Sequence, residues 1–196
     1  MSEPNRDPLP ILSEQLAQPP FPRDDGGMLR NTALILSATL GISSAAQSAE
    51  SVAFFGITLL DSSLQTAELG QDPAELARIE MLEQMVREKF AENGYELLDL
   101  EPVQEQLDMI VNPAKCYGCD TRMATKLGAD YSLVGEVQKV SNLILSMNLQ
   151  MREAATGTMV KGRVVDIRNN TDESWQRGMR YILKTSFFKE DRGGTK

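Results

Sequence analysis

The sequence contains no histidine. Because the imidazole group is the usual general base near neutral pH, its absence removes the Ser-His and Cys-His nucleophile pairs. It also removes the commonest protein ligand of transition metals. A Gly-rich phosphate loop and a Ser-elbow motif are missing too. We therefore expect a protein that is not an enzyme and that holds no cofactor and no resident metal ion.

Basic charge is scarce as well. The chain has 20 Lys and Arg against 28 Asp and Glu, a formal net charge of −8. Residues 1–49 carry five of the acids and three of the bases, so 23 acids and 17 bases remain after them, a net charge of −6. Phosphate groups and anionic lipids require a basic surface, so we expect no nucleic-acid partner. Beyond residue 49 no apolar run approaches membrane length, and we expect no stable membrane insertion.

Residues 28–49 have the layout of a secretory signal peptide. Arg30 precedes a short apolar run over 33–42, and a tail of small residues follows. The run is short and contains Ser, Thr and Gly, which favours cleavage between Ala46 and Ala49 over anchoring. The alternative is a buried helix at the start of a cytosolic domain, but the small-residue tail favours export. We expect a periplasmic protein.

An acidic segment precedes this signal. Residues 1–27 are rich in Pro and acids and lack an apolar period, which is typical of an unstructured segment. Since export machinery reads a basic amino terminus followed by an apolar core, we interpret Met28 as the true start and residues 1–27 as a misassigned extension. Residues 50–188 then form one domain, followed by a flexible tail over 189–196.

The domain is predicted to be α/β, with a mixed β-sheet flanked by helices in the order β-α-β-α-α-β-β-β-α. The apolar run from Val52 to Leu60 predicts a central strand. Asp72 and Pro73 begin a long helix, with Glu75 as a capping acid, and Asn93-Gly94 end it. Its core face is expected to contain Leu76, Ile79, Leu82, Val86 and Phe90.

The rest of the chain supplies shorter elements. Apolar runs and period-two alternation predict strands over 95–100, 131–140, 142–152 and 160–167, with a hairpin turn at Ser141-Asn142. Apolar residues at helical spacing, together with capping residues, predict three shorter helices. They span 103–111, with Val111 inward, 120–127, and a last segment capped by residues 170–173.

One segment resembles a known type of envelope domain. Lys126-Leu127-Gly128 and the run from Ala129 to Val137 look like the segment shared by amino-terminal domains of TolB-type, CsgG-type and LpoB-type envelope proteins. The first strand, the long helix and residues 94–99 lie in matching order, so the resemblance covers most of the domain. The chain is also similar to small secreted bacterial proteins of a domain-of-unknown-function family. The resemblance implies assembly or partner binding, with an envelope protein as partner.

Cys116 and Cys119 are the only cysteines, and both lie in the exported part. In an oxidising periplasm we expect them to form a short structural disulfide. One alternative is a thiol-redox pair, since a C-x-x-C at a helix start favours thiolate chemistry. Another is Cu(I) or Zn handling by the two thiolates with help from methionine, for which the candidates are Met81, Met85, Met147 and Met151. Methionine at such positions is more often packing.

Two further groups of residues carry possible functions. Five carboxylates fall at or near predicted strand ends, where α/β proteins keep their sites, although turn and cap roles explain them as well: Asp61, Asp99, Glu101, Asp130 and Glu136. Trp175, Arg177, Arg180 and Tyr181 share the last helix. The helical spacing places Trp175 in the core, but an aromatic residue beside Arg is also the composition of an interface hot spot, so this helix is a possible interface.

Export gives the first testable prediction. Expression from Met28 is expected to give a periplasmic product whose amino terminus lies between Gln47 and Glu50, because the small-residue tail offers the cleavage site. Amino-terminal mass spectrometry of the periplasmic fraction measures this. Retention of the uncleaved product in the cytoplasm would contradict the prediction.

Overall fold

Five strands organise residues 49–189, which are the residues that the computed structural model describes. They are β1 (Ser51–Asp61), β2 (Glu96–Leu97), β3 (Tyr131–Ser141), β4 (Ile144–Glu153) and β5 (Met159–Ile167). Their spatial order is β2-β1-β3-β4-β5. β1 runs parallel to both of its neighbours, whereas β3, β4 and β5 form an antiparallel meander. The mixed sheet that the sequence predicts is confirmed. The proposed leader, the signal peptide and most of the proposed tail lie outside the described residues.

Five α-helices accompany the strands in this part of the chain: α1 (Leu64–Leu69), α2 (Pro73–Glu92), α3 (Gln104–Asp108), α4 (Cys119–Leu127) and α5 (Asp172–Ile182). A π-helical turn, Leu183–Phe187, continues α5. As the sequence predicts, Asp72 caps α2 by accepting the N–H of Ala74, and Gly128 ends α4 in the left-handed conformation. None of the described helices is long and apolar enough to cross a bilayer.

The sheet separates two apolar clusters, because successive side chains of a strand point to opposite faces. Val52 and Phe54 of β1 join the larger cluster, and Ala53 and Phe55 join the smaller one. We call the corresponding sides of the sheet the α2 face and the α4 face. α2 and α5 cover the first, and α4 with the short 3-10 turns covers the second.

A bulge interrupts β1 at Gly56. The β1–β3 register shifts between Phe54 and Ile57, and Gly56 has φ +83°. The freed N–H of Ile57 donates to Glu83 Oε1 of α2 at 2.8 Å. A Cβ on Gly56 would lie 2.7 Å from that oxygen, so only glycine leaves room for the contact.

Several predicted details are wrong. The helix α1 lies between β1 and α2, in a segment for which the sequence predicts no helix. The strand predicted over 95–100 shrinks to two residues, because Asp99 turns the chain by accepting the N–H of Glu101. The helix predicted over 103–111 breaks into a 3-10 turn and α3. Three residues expected in the core or in a strand are exposed: Leu76, Val111 and Leu143. Val111 lies in a bend after α3 and Leu143 in the turn before β4, whereas Leu76 lies within α2 on its solvent side.

Candidate functional site

The carboxyl ends of β1 and β3 meet where the chain changes sides of the sheet. From β1 the chain crosses through α2 to β2, and from β2 it returns past β1 through α4 to β3. In open α/β sheets such a switch point is the usual place for a ligand. Here it holds Asp61 at the end of β1 and Lys139 near the end of β3, directly opposite each other.

Lys139 is the centre of a buried ionic cluster at this point. Its Nζ lies 2.6 Å from Glu75 Oε1 of α2 and 3.0 Å from Asp61 Oδ2, and it donates to Thr66 Oγ1 of α1 at 3.4 Å. The three charged side chains are almost fully excluded from solvent. Glu75, which the sequence suggested as a capping acid, is therefore an ion-pair partner. We call Asp61, Thr66, Glu75 and Lys139 the Lys139 cluster.

Asn170 connects this cluster to α5. Its Nδ2 donates to Glu75 Oε1 at 2.5 Å, and its Oδ1 accepts the indole N–H of Trp175 at 2.9 Å. Trp175 is fully buried, so of its two predicted places, core and interface, its ring occupies the core. The other three residues of that interface, Arg177, Arg180 and Tyr181, are exposed on α5.

The electrostatics of the cluster keep its members charged. Burial favours the neutral form of Asp61, but hydrogen bonds from Ser63, Thr66 and Lys139 outweigh it and hold the pKa of Asp61 well below its ordinary value. Burial likewise disfavours the charged form of Lys139, but Glu75 and Asp61 outweigh it and raise the pKa of Lys139. A saturated ammonium group with a raised pKa is a poor base or nucleophile at neutral pH. The contacts of the cluster suit it to holding β1, β3, α1 and α2 together.

A cavity of about 310 Å³ lies beside the Lys139 cluster. Polar side chains at its wall include Gln65, Gln71 and Asn142, and Glu75 and Lys139 of the cluster also line it. Gln71 Nε2 donates to Glu75 Oε2 at 3.0 Å, so the wall and the cluster are connected.

The second candidate site is the loop 116–119, which we call the Cys loop. The structure brings the two sulfurs within bonding distance, with the Cα atoms of Cys116 and Cys119 5.5 Å apart. Tyr117 is 99% exposed and has φ +53°, a left-handed conformation that a bulky residue rarely adopts. Gly118 follows with φ +85° as the N-cap of α4. The sequence did not indicate that Tyr117 would be exposed in this way.

Two buried acids hold the segment around the Cys loop on the α4 face. Glu136 of β3 accepts from Asn112 Nδ2 at 2.6 Å and pairs with Lys115 Nζ at 3.0 Å. Asp120 of α4 accepts from Ser132 Oγ at 3.0 Å and from Arg152 Nη1 at 3.3 Å. These contacts hold the residues on both sides of Tyr117 to the sheet.

The other candidate carboxylates do not form an acid-base pair. Asp61 and Glu136 point to opposite faces of the sheet. Asp130 accepts the backbone N–H and the hydroxyl of Ser51, both at 2.8 Å, and the backbone hydrogen bond from Ser51 is the main cause of its lowered pKa. Asp99 forms the turn described above, and Glu101 is exposed beside it.

The four methionines considered as metal ligands lie away from the cysteines. Met147 and Met151 are buried in the larger cluster, and Met81 and Met85 pack against it. Cys119 packs against the smaller cluster on the opposite face. The structure therefore does not bring these methionines to the Cys loop.

The fold is that of a small α/β domain with a 2-1-3-4-5 strand order and helices on both faces. The chain belongs to the DUF3280 family, described as "Protein of unknown function (DUF2380)", whose sequence profile matches residues 50–187. The resemblance to a domain-of-unknown-function family is thereby confirmed. The comparison with curated proteins gives no match.

Solved structures with a similar chain path include the C-terminal domain of LpoB from Salmonella enterica. It is 17% identical, with 64% of this chain and 87% of that chain covered and a TM-score of 0.42. Lipoprotein GNA1162 from Neisseria meningitidis is 15% identical, with 62% and 82% covered and a TM-score of 0.41. Hypothetical protein CT253 from Chlamydia trachomatis is 15% identical, with 68% and 93% covered and a TM-score of 0.40. The suspected LpoB-type resemblance thus recurs among solved structures, but these similarities are too remote to transfer a partner or an activity.

The Lys139 cluster gives the second prediction. Lys139→Met leaves two carboxylates buried without their cation and is expected to lower the free energy of unfolding by about 3–5 kcal/mol at pH 7. Lys89→Met, which removes an exposed pair with Glu92, is the control and should lower it by less than ~1 kcal/mol. Urea unfolding measures both. Equal effects of the two substitutions would contradict the structural role.

The pH dependence of the same unfolding experiment tests the charges. Because the folded-state pKa of Asp61 is depressed, its contribution is present above its unfolded pKa of ~3.9 and is lost as pH falls below that value. The raised pKa of Lys139 adds stability below ~10.4 that is lost as pH rises beyond it. Asp61→Asn is expected to weaken the acid-side loss of stability that the wild-type protein shows. An unchanged acid-side profile would contradict this.

Proposed function

We propose that the chain is an exported, non-enzymatic accessory protein that binds an envelope partner through the Cys loop. The observation that carries this proposal is Tyr117, fully exposed in a left-handed backbone conformation on a base that two buried acids fasten to the sheet. A non-glycine residue in that conformation costs roughly 1–3 kcal/mol and persists where the surroundings impose it. Such strained residues, on loops held by a rigid scaffold, cluster at functional sites.

The surroundings of Tyr117 indicate the chemistry of the partner. Residues 109–127 contain one acid, Asp120, and it is buried. Three exposed or half-exposed cations lie in the same segment: Lys115, Arg122 and Lys126. Met109 and Val111 add exposed apolar surface. On a chain with an acidic net charge, this basic and apolar segment fits a partner with an acidic rim around an apolar pocket.

Export is part of the proposal and rests on the sequence. The signal-peptide layout of residues 28–49 and the resemblance of residues 126–137 to LpoB-type domains support a periplasmic location. A cysteine pair that closes within one short loop suits an oxidising compartment. We accordingly assign the bridge a structural role, that of closing the turn that presents Tyr117.

The non-enzymatic part follows from what the candidate catalytic groups do. Lys139 and Asp61 neutralise each other inside the fold, Glu136 anchors the Cys loop, and Asp130 caps the start of β1. Each of these groups has a structural contact that accounts for it. This supports partner binding over acid-base chemistry.

Substitution of Tyr117 gives the fourth prediction. Tyr117→Asn keeps a residue that tolerates a positive φ but removes the ring, so folding is retained while partner recovery from envelope extracts falls by at least about tenfold. Leu64→Asn removes a side chain that is 80% exposed on α1 and is the matched control. Arg180→Ala tests the α5 surface in the same assay. A loss with Arg180→Ala and none with Tyr117→Asn would move the binding surface to α5.

A thiol-redox protein is the second candidate function. Cys119 is the first residue of α4, and the amino end of a helix favours a thiolate. This position suits a disulfide that cycles, whereas the half-buried setting of both cysteines and the anchored loop suit one that persists.

Alkylation of the periplasmic protein separates these two functions and gives the fifth prediction. The structural role predicts no free thiol after trapping, and loss of at most ~2–3 kcal/mol of stability when Cys116 and Cys119 are both replaced by Ser. A large dithiol population with a potential near those of disulfide oxidoreductases would favour the redox function instead.

A further inference from the structure

The sheet ends in an open edge at β5. This strand has nine residues, and its only neighbour is β4, so the backbone groups on its outer side have no strand partner among residues 49–189. The opposite edge, β2, has only two residues. A long exposed edge is a template for pairing with another strand, and native proteins usually protect it with charges, proline, bulges or a covering segment.

Of the three charged residues of β5, the two cations do not guard its edge, which leaves only the exposed Asp166 on the α4 face. Lys161 Nζ donates to the carbonyl oxygen of Phe187 at 2.9 Å, and Arg163 Nη2 donates to the hydroxyl of Tyr181 at 3.2 Å. Both side chains are thus turned to the α2 face and bound within the molecule. The strand contains no proline, and its one register shift against β4 lies near its start, between Met159 and Lys161. Its exposed apolar side chains are Met159, Val160 and Val164.

The side-chain pattern of β5 selects one antiparallel register with a second copy of itself. Opposed residues of a continuous sheet point to the same face, so the two-fold axis must pass through a single residue pair. Among the central residues of the strand, an axis at Gly162 or at Arg163 would place cations opposite each other, which is destabilising. An axis at Val165 would place the exposed Val164 opposite the carboxylate of Asp166. An axis at Val164 instead opposes each cation to an apolar residue, Lys161 to Ile167 and Arg163 to Val165.

Two exposed side chains beside this edge, Val164 and Tyr181, lie at nearly the same position along β5. Val164 is 61% exposed on the α4 face. Tyr181 is 47% exposed over the other face and is bonded to Arg163, the residue before Val164. An axis through Val164 therefore brings both side chains towards their own copies. A groove of about 310 Å³ between β5 and α5, with Val165, Ile167 and Tyr181 in its wall, follows the same edge and receives the partner's side chains.

We propose that two copies of this chain associate through β5, in an antiparallel two-fold pair centred on Val164, and form a continuous ten-stranded sheet. The inference is independent of the Cys loop, which packs on the part of the sheet formed by β1 and β3. It uses Tyr181 of the surface that the sequence indicated as an interface.

Cysteine substitution in the full chain tests the register. In a pair centred on Val164, Val164→Cys places two thiols directly opposite each other, within the Cα separation of a disulfide. Asp166→Cys, on the same face, places them ~14 Å apart and is the matched control. Mild oxidation is expected to give a dimer linked through residue 164 with the first variant and none with the second. Equal linkage at both positions, or none at either, would overturn the proposal.

Sedimentation equilibrium of the purified protein without added cysteines tests the association itself. The wild-type protein is expected to show a concentration-dependent dimer. Val164→Lys places two ammonium groups opposite each other and should raise the dimer dissociation constant at least about tenfold, whereas Val164→Thr keeps a β-branched side chain and should retain the dimer. Circular dichroism confirms folding of each variant. A wild-type monomer at the highest soluble concentration, or a dimer that Val164→Lys leaves unchanged, would show that this edge does not pair with a second copy.

Discussion

The buried ammonium group of Lys139 is the contact on which the arrangement of the α2 face depends. It joins the end of β1, α1 and the first turn of α2, and through Glu75 and Asn170 it reaches the indole of Trp175 in α5. Two carboxylates removed from water are tolerable only with this cation between them. The segments are therefore positioned by one another, and the switch point of the sheet, where related architectures bind ligands, is filled by the protein's own charges.

Much of the framework is visible in the sequence because it rests on local signals. The alternation in β4, the caps of α2 and the glycine that ends α4 each act within a few residues. The Lys139 cluster is not visible in that way. An acid three residues after Asp72 has the pattern of a capping box, and only the packing of α2 on the sheet turns Glu75 towards Lys139. A partial signal exists, since Lys139 continues the inward positions of Leu133 and Val137.

The shortest elements show a second limit of prediction from the sequence. β2 pairs through two residues, and α1 has six, so neither carries enough periodic pattern to be recognised without its neighbours. The Cys loop is similar: a C-x-x-C predicts closure, but the orientation of Tyr117 follows from Glu136 and Asp120, which become its neighbours only in the fold. The net charge of −8 over the whole chain also conceals the basic character of residues 109–127.

The bulge at Gly56 has a consequence for how α2 and the sheet fit together. A carboxylate of α2 takes the place of a strand carbonyl by accepting the Ile57 N–H, and Arg87 lies 3.9 Å from the same carboxylate while stacking over Phe54. Apolar packing alone would tolerate a small slide of the helix along its axis. This directional bond does not, because sliding would leave a buried donor without an acceptor. The hydrogen bond thereby fixes the axial position of α2 relative to β1, which apolar packing alone would leave less well defined.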